Sequence, residues 1–304
     1  MEWEKLGLVY VPDGVLWWAK SHAMIPTPVR LNDDVIRVYI TCCDEKGIGR
    51  VGYVDLNAKN LTQVISVSQE PVLDIGEPGT FDENGALVCS VVQVRSELYL
   101  YYAGFELGTK IRYRLLTGLA KADNVNDKFY RVKQVPVLER SDKELFFRGG
   151  PFAMRKKSEF QMWYVAGSDW EVVNNNLKPV YEIRYIQSEN GIDWPDQGET
   201  CVEIQLENEH GFGRPFVVDL NNQQTMFYSV RRKDLDSYRL GFAEIDSNNN
   251  WVRKDEEIGI DVSPHGWDSE MICYSAVLNV DGRYYMFYNG NNFGETGFGL
   301  AILK

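Results

Sequence analysis

The chain has 304 residues, 44% hydrophobic and 13% aromatic, which is enough apolar material for a sizeable core in one or two domains. Asp and Glu number 44 against 32 Lys and Arg, and the formal net charge of −12 speaks against attraction to a phosphate backbone or an anionic membrane. Nucleic acid and membrane are therefore not expected as partners. The N-terminus shows no basic start with a following apolar run, and no stretch nears the roughly 18 apolar residues of a membrane span. Five cysteines, Cys42, Cys43, Cys89, Cys201 and Cys273, are odd in number, lack CxxC spacing and sit mostly in strand-like runs. That pattern predicts reduced core thiols and a cytoplasmic location.

In chain order, Leu6 to Val11 reads as a lone strand, followed by Val29–Leu31, Ile36–Thr41 and Val51–Leu56, all rich in β-branched and apolar residues. The pattern then recurs. Aromatic runs Val38-Tyr39-Ile40, Leu100-Tyr101-Tyr102, Met162-Trp163-Tyr164, Met226-Phe227-Tyr228 and Met286-Phe287-Tyr288 lie about 60 residues apart, a length suited to an arrayed unit. Pro28, Ser90, Pro151, Pro215 and Ser275 open the preceding apolar stretches, and Gly52, Gly118, Arg184, Gly241 and Gly299 mark a third strand. Helical periodicity is nowhere sustained. Tight turns join first to second strands at Asn32-Asp33-Asp34, Arg95-Ser96-Glu97, Lys156-Lys157-Ser158, Asn221-Asn222-Gln223 and Asp281-Gly282. Second-to-third connections are longer, as at Phe105 to Arg112, Asp169 to Pro179, Arg231 to Ser237 and Asn291 to Thr296. The repeat predicts an all-β, five-bladed β-propeller of four-stranded antiparallel blades, one domain spanning 1–304. The fifth copy ends one strand short, at Leu303, so the N-terminal strand is expected to complete the last blade and remove an open edge.

In such a ring, chemistry gathers at the openings of the innermost strands, where loops meet a rigid scaffold. The residues just before those strands are Ser21-His22-Ala23-Met24, Thr80 to Asn84, Phe147-Arg148-Gly149-Gly150, His210 to Arg214, and Trp267 to Met271. His22, Asp82 or Glu83, Arg148, Arg214, and Asp268 or Glu270 are thus candidates to meet at one pocket. Arg231 and Asn289 follow second strands and are candidate substrate contacts or loop anchors. Trp17, Trp18, Trp170, Trp267 and Tyr274 are candidate platforms for a sugar ring, or core aromatics, with Trp18 and Trp267 retained. No second histidine stands at ligand spacing from His22, and no phosphate-binding or dinucleotide fingerprint is present, so neither a metal nor a cofactor is expected.

The openings Gly149-Gly150-Pro151-Phe152 and Gly213-Arg214-Pro215-Phe216, with the repeated Met-aromatic-Tyr strands, resemble the five-bladed propeller glycoside hydrolases, the arabinanase, invertase and mannoside phosphorylase superfamily. The similarity spans essentially the whole chain, and Leu73–Asn84 and Gly266–Tyr274 resemble a branch of it without an assigned activity. The resemblance implies a sugar bound on the axis and cut by paired carboxylates. Arabinanase- and invertase-like members place an Asp before the proline of blade one and a Glu further on. Thr27 and Gly149 stand at those places here, so no catalytic set carries over.

Glycoside cleavage needs an acid for the leaving oxygen and a second group for water or the anomeric carbon, typically two carboxyls roughly 5 to 10 Å apart. Asp82 and Glu270 are the expected pair, with Glu83 and Asp268 beside them. Each of these also suits a turn cap. Arg148 and Arg214, with His22, would suit an anionic part of the substrate or a phosphate nucleophile; either arginine could instead bridge blades through carbonyls. The sequence thus favours a glycoside hydrolase acting on an anionic glycan or sugar conjugate, with a non-catalytic carbohydrate-binding propeller or a glycoside phosphorylase as the alternatives.

Overall fold

A computed structural model describes every residue except Leu206 and Asp236, so the Arg231–Ser237 loop falls partly outside the described residues. The chain forms two compact units. One comprises Met1–Val72, Phe216–Ser229 and Ser237–Lys304; the other comprises Leu73–Pro215 and Val230–Asp236. Strands make up 58% of the chain and helix 2%.

In the first unit, β1 (Trp3–Tyr10) precedes an antiparallel sheet of β2 (Ser21–Arg30), β3 (Val35–Cys43), β4 (Gly49–Asn57) and β5 (Asn60–Val67), paired in chain order. The second unit holds β6 (Ala86–Val94), β7 (Glu97–Leu107), β8 (Tyr113–Ala122) and β9 (Tyr130–Arg131), then β10 (Arg148–Lys156), β11 (Glu159–Val173), β12 (Asn176–Ser188) and β13 (Glu199–Val202). Each of these two sets is an antiparallel meander, and one parallel contact, Arg148 against Leu116, links them. β14 (Glu209–Leu220), β15 (Gln223–Arg232), β16 (Tyr238–Ile245) and β17 (Trp251–Arg253) form a further four-stranded sheet. β18 (Cys273–Val280), β19 (Arg283–Asn289) and β20 (Phe298–Leu303) complete the first unit, and β1 pairs antiparallel with β20 as the fourth strand of that sheet.

The turns use the residues that left-handed backbone demands. Asn221-Asn222 (φ 53° and 67°) and Asp281-Gly282 (φ 51° and 84°) both carry the consecutive positive φ angles that match the twist of paired strands. At Asn32 the side-chain oxygen accepts the N–H groups of Asp34 and Val35 at 2.8 and 2.9 Å, closing the turn without a glycine.

A repeated irregularity shapes the strands that open each meander. Along β2 the register runs from Met24 opposite Thr41 to Thr27 opposite Tyr39, so Ile25 and Pro26 together face Ile40. By the same count Gly150-Pro151 face Tyr164 in β10, Tyr274-Ser275 face Tyr288 in β18, and Cys89 is the extra residue of β6. These are β-bulges, which bend a strand and re-aim its side chains. The backbone is left-handed at Ile25 (φ 56°), Gly150 (φ 58°), Arg214 (φ 38°) and Tyr274 (φ 53°), a strained state for any residue but glycine. The register therefore corrects the sequence alignment: the proline of the first copy equivalent to Pro151 is Pro26, not Pro28. A bulge also frees backbone donors. Asn289 Oδ1 takes the Ile25 N–H (2.7 Å) and Ser229 Oγ the Tyr274 N–H (2.8 Å).

Each unit has its own core. In the first, Trp18, Phe287, Phe298 and Leu300 pack with Ile36, Val38 and Ile40, while Phe227, Phe242, Ile272 and Tyr288 form a second cluster. In the second, Tyr101, Met162, Tyr164 and Ile186 pack together, with Phe147, Val165 and Tyr181 adjoining one another separately. Burying side chains of this size contributes about 1.5–3 kcal/mol each.

Candidate functional site

The carboxylates nominated from the sequence divide sharply once their surroundings are known. Asp82 is fully buried. Its carboxylate accepts from Tyr102 Oη (2.9 Å), Arg131 Nε (2.8 Å) and Thr80 Oγ1 (3.0 Å). Asp268 is likewise buried, paired with Lys5 Nζ at 2.6 Å and with Tyr288 Oη at 3.0 Å. Glu144 repeats the arrangement with Tyr164, Arg148 and Arg184, and Asp255 repeats it with Tyr228 and Arg253. The closing tyrosine of four aromatic runs thus donates to a carboxylate that is neutralised by a cation. Burial first, then the adjoining carboxylate, pushes all four phenols well above their ordinary range. These are structural posts: Asp82 is engaged on both carboxylate oxygens, and Oδ2 of Asp268 takes both Lys5 and Tyr288. Ile40 takes the tyrosine's place in the first run, and there the ring of Trp18 fills the space over Gly52.

Arg148 is equally committed. It is 3% exposed, pairs with Glu144 and donates to Glu139 O (2.8 Å) and Pro195 O (2.7 Å), so it staples three segments together. Arg214 is buried with Nη2 directed at Cys89 O (3.4 Å). Arg231 lies over the Tyr181 ring, 4.9 Å from its centroid, beside buried His210. Glu83 Oε2 caps Gly79 N–H at 2.7 Å. Trp18 is fully buried, with its indole N–H donated to Gln69 O (3.1 Å), so it offers no face to a ligand. Asn289, also fully buried, spends its amide on Ala23 O, Gly297 O and the Ile25 N–H, which makes it the anchor of a bulge.

His22, Glu270 and Tyr274, sequence candidates of the first unit that stay at least partly accessible, border the β19–β20 connection. Asn292, Phe293 and Gly294 have φ angles of 51°, 60° and 95°, three left-handed residues in succession. The connection is held in that state from several sides: Asn291 Oδ1 accepts the N–H groups of Glu270 (2.8 Å) and Met271 (3.1 Å), and Thr296 Oγ1 donates to Trp267 O (2.6 Å). Phe293 is thereby presented at 39% exposure against Tyr274 (6.4 Å, stacked) and Tyr238 (5.2 Å, edge-on). Asn292 Nδ2 orients the exposed carboxylate of Glu295 (2.9 Å). Glu270 is exposed too, and its own carbonyl is tied to Arg239 (2.9 Å). His22 sits at a left-handed position (φ 61°) with Nδ1 2.8 Å from Ser21 Oγ; burial lowers its pKa and the nearby Glu295 acts in the opposite direction. Of the sequence candidates, Tyr274 stacks on Phe293, Glu270 reaches the connection through its backbone N–H and His22 feels the charge of Glu295; Phe293, Tyr238 and Glu295 are residues that sequence reasoning missed. The Asn-Asn-Phe-Gly run was the available signal.

Among the described residues no group of three or more His, Cys, Asp or Glu side chains stands where it could hold a metal ion. No helix among them is long and apolar enough to cross a membrane.

Comparison with solved structures defines the fold class. A glycoside hydrolase aligns with a TM-score of 0.74 at 18% identity, covering 98% of this chain and 90% of that one. A thermostable family-43 glycoside hydrolase gives 0.67 at 14% identity, covering 93% and 89%. An alpha-L-arabinofuranosidase from Lactobacillus brevis gives 0.69 at 9%, covering 97% and 93%. The fold is that of the propeller-type glycoside hydrolases. No family model matches the chain. Two Mycobacterium tuberculosis proteins, Rv1502 (strain ATCC 25618 / H37Rv) and MT1551 (strain CDC 1551 / Oshkosh), are each 30% identical over 304 residues, all of this chain and all of theirs. The chain belongs to their family.

Proposed function

We propose that the protein is a carbohydrate-active enzyme that cleaves glycosidic bonds at the β19–β20 connection of the first unit. The observation that carries this reading is the aromatic set Phe293, Tyr274 and Tyr238, held half open by a strained and heavily anchored loop beside two exposed carboxylates. Flat apolar faces suit the C–H face of a pyranose ring, and carboxylates suit its hydroxyls. Glu270 keeps its role from the sequence reading, and Glu295 replaces Asp82 as the second carboxylate, with His22 beside it as a proton carrier. The fold likeness to glycoside hydrolases supports the reaction class. Five blades closed into one ring by β1, a single domain over 1–304 and a cytoplasmic location complete the proposal.

Hydrolysis is favoured over phosphorolysis because Arg148, one of the two expected phosphate ligands, is consumed by Glu144 and two carbonyls. Engagement of Asp82 and Asp268 in ion pairs favours the second reading, a propeller that binds glycans without cleaving them. Reducing-end release from a panel of neutral and acidic oligosaccharides separates the two. Glu270→Gln and Glu295→Gln are each expected to lower turnover by roughly 100-fold or more while ligand still binds. Unchanged turnover in both variants would remove the catalytic assignment, and an inert wild type that binds sugar would establish the second reading.

A further inference from the structure

The second unit contains a cleft of about 630 Å³, between the β7–β8 connection, the segment entering β10 and the long β11–β12 hairpin. Its walls combine Trp170 and Phe146 with the cations Lys110, Arg114 and Arg140. The aromatic wall is fixed in place: Trp170 packs on Phe146 (6.1 Å between centroids) and Phe147 (5.4 Å), and Phe147 packs edge-on against Tyr181 (5.2 Å). Two of the cations reach carboxylates, Arg114 to Glu106 and Arg140 to Glu139, each at 3.3 Å. All four partners are about one-third exposed or more, and exposed bridges of this kind hold weakly, so both guanidinium groups can turn to a better acceptor.

Three cations around an aromatic wall stand out in a chain of net charge −12. A guanidinium matches a carboxylate with two parallel hydrogen bonds, an indole matches a sugar ring, and the volume suits a short oligosaccharide. We propose that this cleft is a binding site for an acidic, uronate-bearing oligosaccharide, with Arg114 and Arg140 taking the carboxylates and Trp170 a sugar ring. That the charge is carried by a sugar rests on the function proposed above; the position and sign of the site do not. None of these residues belongs to the first unit's aromatic loop.

Calorimetric titration of trigalacturonate, with neutral galactotriose and glucose 6-phosphate as comparison probes, tests the assignment. In wild type the uronate is expected to bind and the neutral trisaccharide to bind at least tenfold more weakly at this cleft. The double variant Arg114→Ala/Arg140→Ala should weaken uronate binding at least tenfold, as should Trp170→Ala, while Phe293→Ala leaves it unchanged. Raising salt to about 0.5 M should weaken it as well. Failure of the uronate to bind, an unaltered affinity in the double variant, a preference for the hexose phosphate, or an equal loss in Phe293→Ala would each overturn the proposal. Galactotriose binding that is lost only in Phe293→Ala reports on the first unit, so the two sites fail independently.

Discussion

Asp82 sits in an environment that makes a different prediction from a catalytic role. With three side chains donating to it in a fully buried setting, Asp82→Asn should destabilise the protein by roughly 3–5 kcal/mol. Tyr102→Phe should cost about 1–3 kcal/mol, and urea denaturation reads both. Stability unchanged in Asp82→Asn would contradict the post assignment. His210 offers a pH test. It is 3% exposed, and burial, aided by Arg231, lowers its pKa from 6.5 to about 4. The unfolded chain thus binds a proton between those values that the folded one refuses. Stability should be full above pH 6.5 and fall by up to about 3 kcal/mol as pH drops through that window, a loss that His210→Gln should reduce. Three of the four posts share an interval, Asp82, Glu144 and Asp268 each preceding their tyrosine by 20 residues, while Asp255 follows Tyr228 by 27; sequence reasoning missed that interval. Read singly, those acids look like turn caps or catalysts; only the shared interval marks them as a structural repeat.

At the scale of elements, β1 is bound into the last sheet by its ladder to β20 and by Lys5 against Asp268. Removing residues 1–10 would bare the edge of β20 and strand a buried carboxylate, so the truncated chain should melt far lower than wild type or fail to stay in solution. Lys5→Met isolates the charge contribution, with an expected loss of a few kcal/mol in denaturant titration. A truncation that melts like wild type would show that the ladder contributes little. Strands and hairpin turns were readable because β-branched runs and Asn-Asn or Asp-Gly pairs are local signals. The bulges were not, since an extra residue shifts register without changing composition. That is why Pro28 looked equivalent to Pro151 when Pro26 is.

At the scale of the whole molecule, the roughly 60-residue repeat made the all-β class legible, whereas the accessible site lies on connections that carry no period. The thiols supply an overall check on the two cores. All five cysteines are free and four are buried, and burial pushes Cys43 to about 11 and Cys89 and Cys201 to about 12. Native protein at pH 7 should resist alkylation and become fully labelled once unfolded in denaturant; rapid labelling of the native state would contradict the packing described. The central claim, a sugar site built on Phe293, Tyr274 and Tyr238, is tested most directly by calorimetric titration of a neutral and acidic oligosaccharide panel into wild type and Phe293→Ala. At least one ligand is expected to bind with a Kd below about 1 mM, weakened tenfold or more by the substitution. Silence across the panel, or a panel in which no ligand loses affinity in the variant, would contradict it.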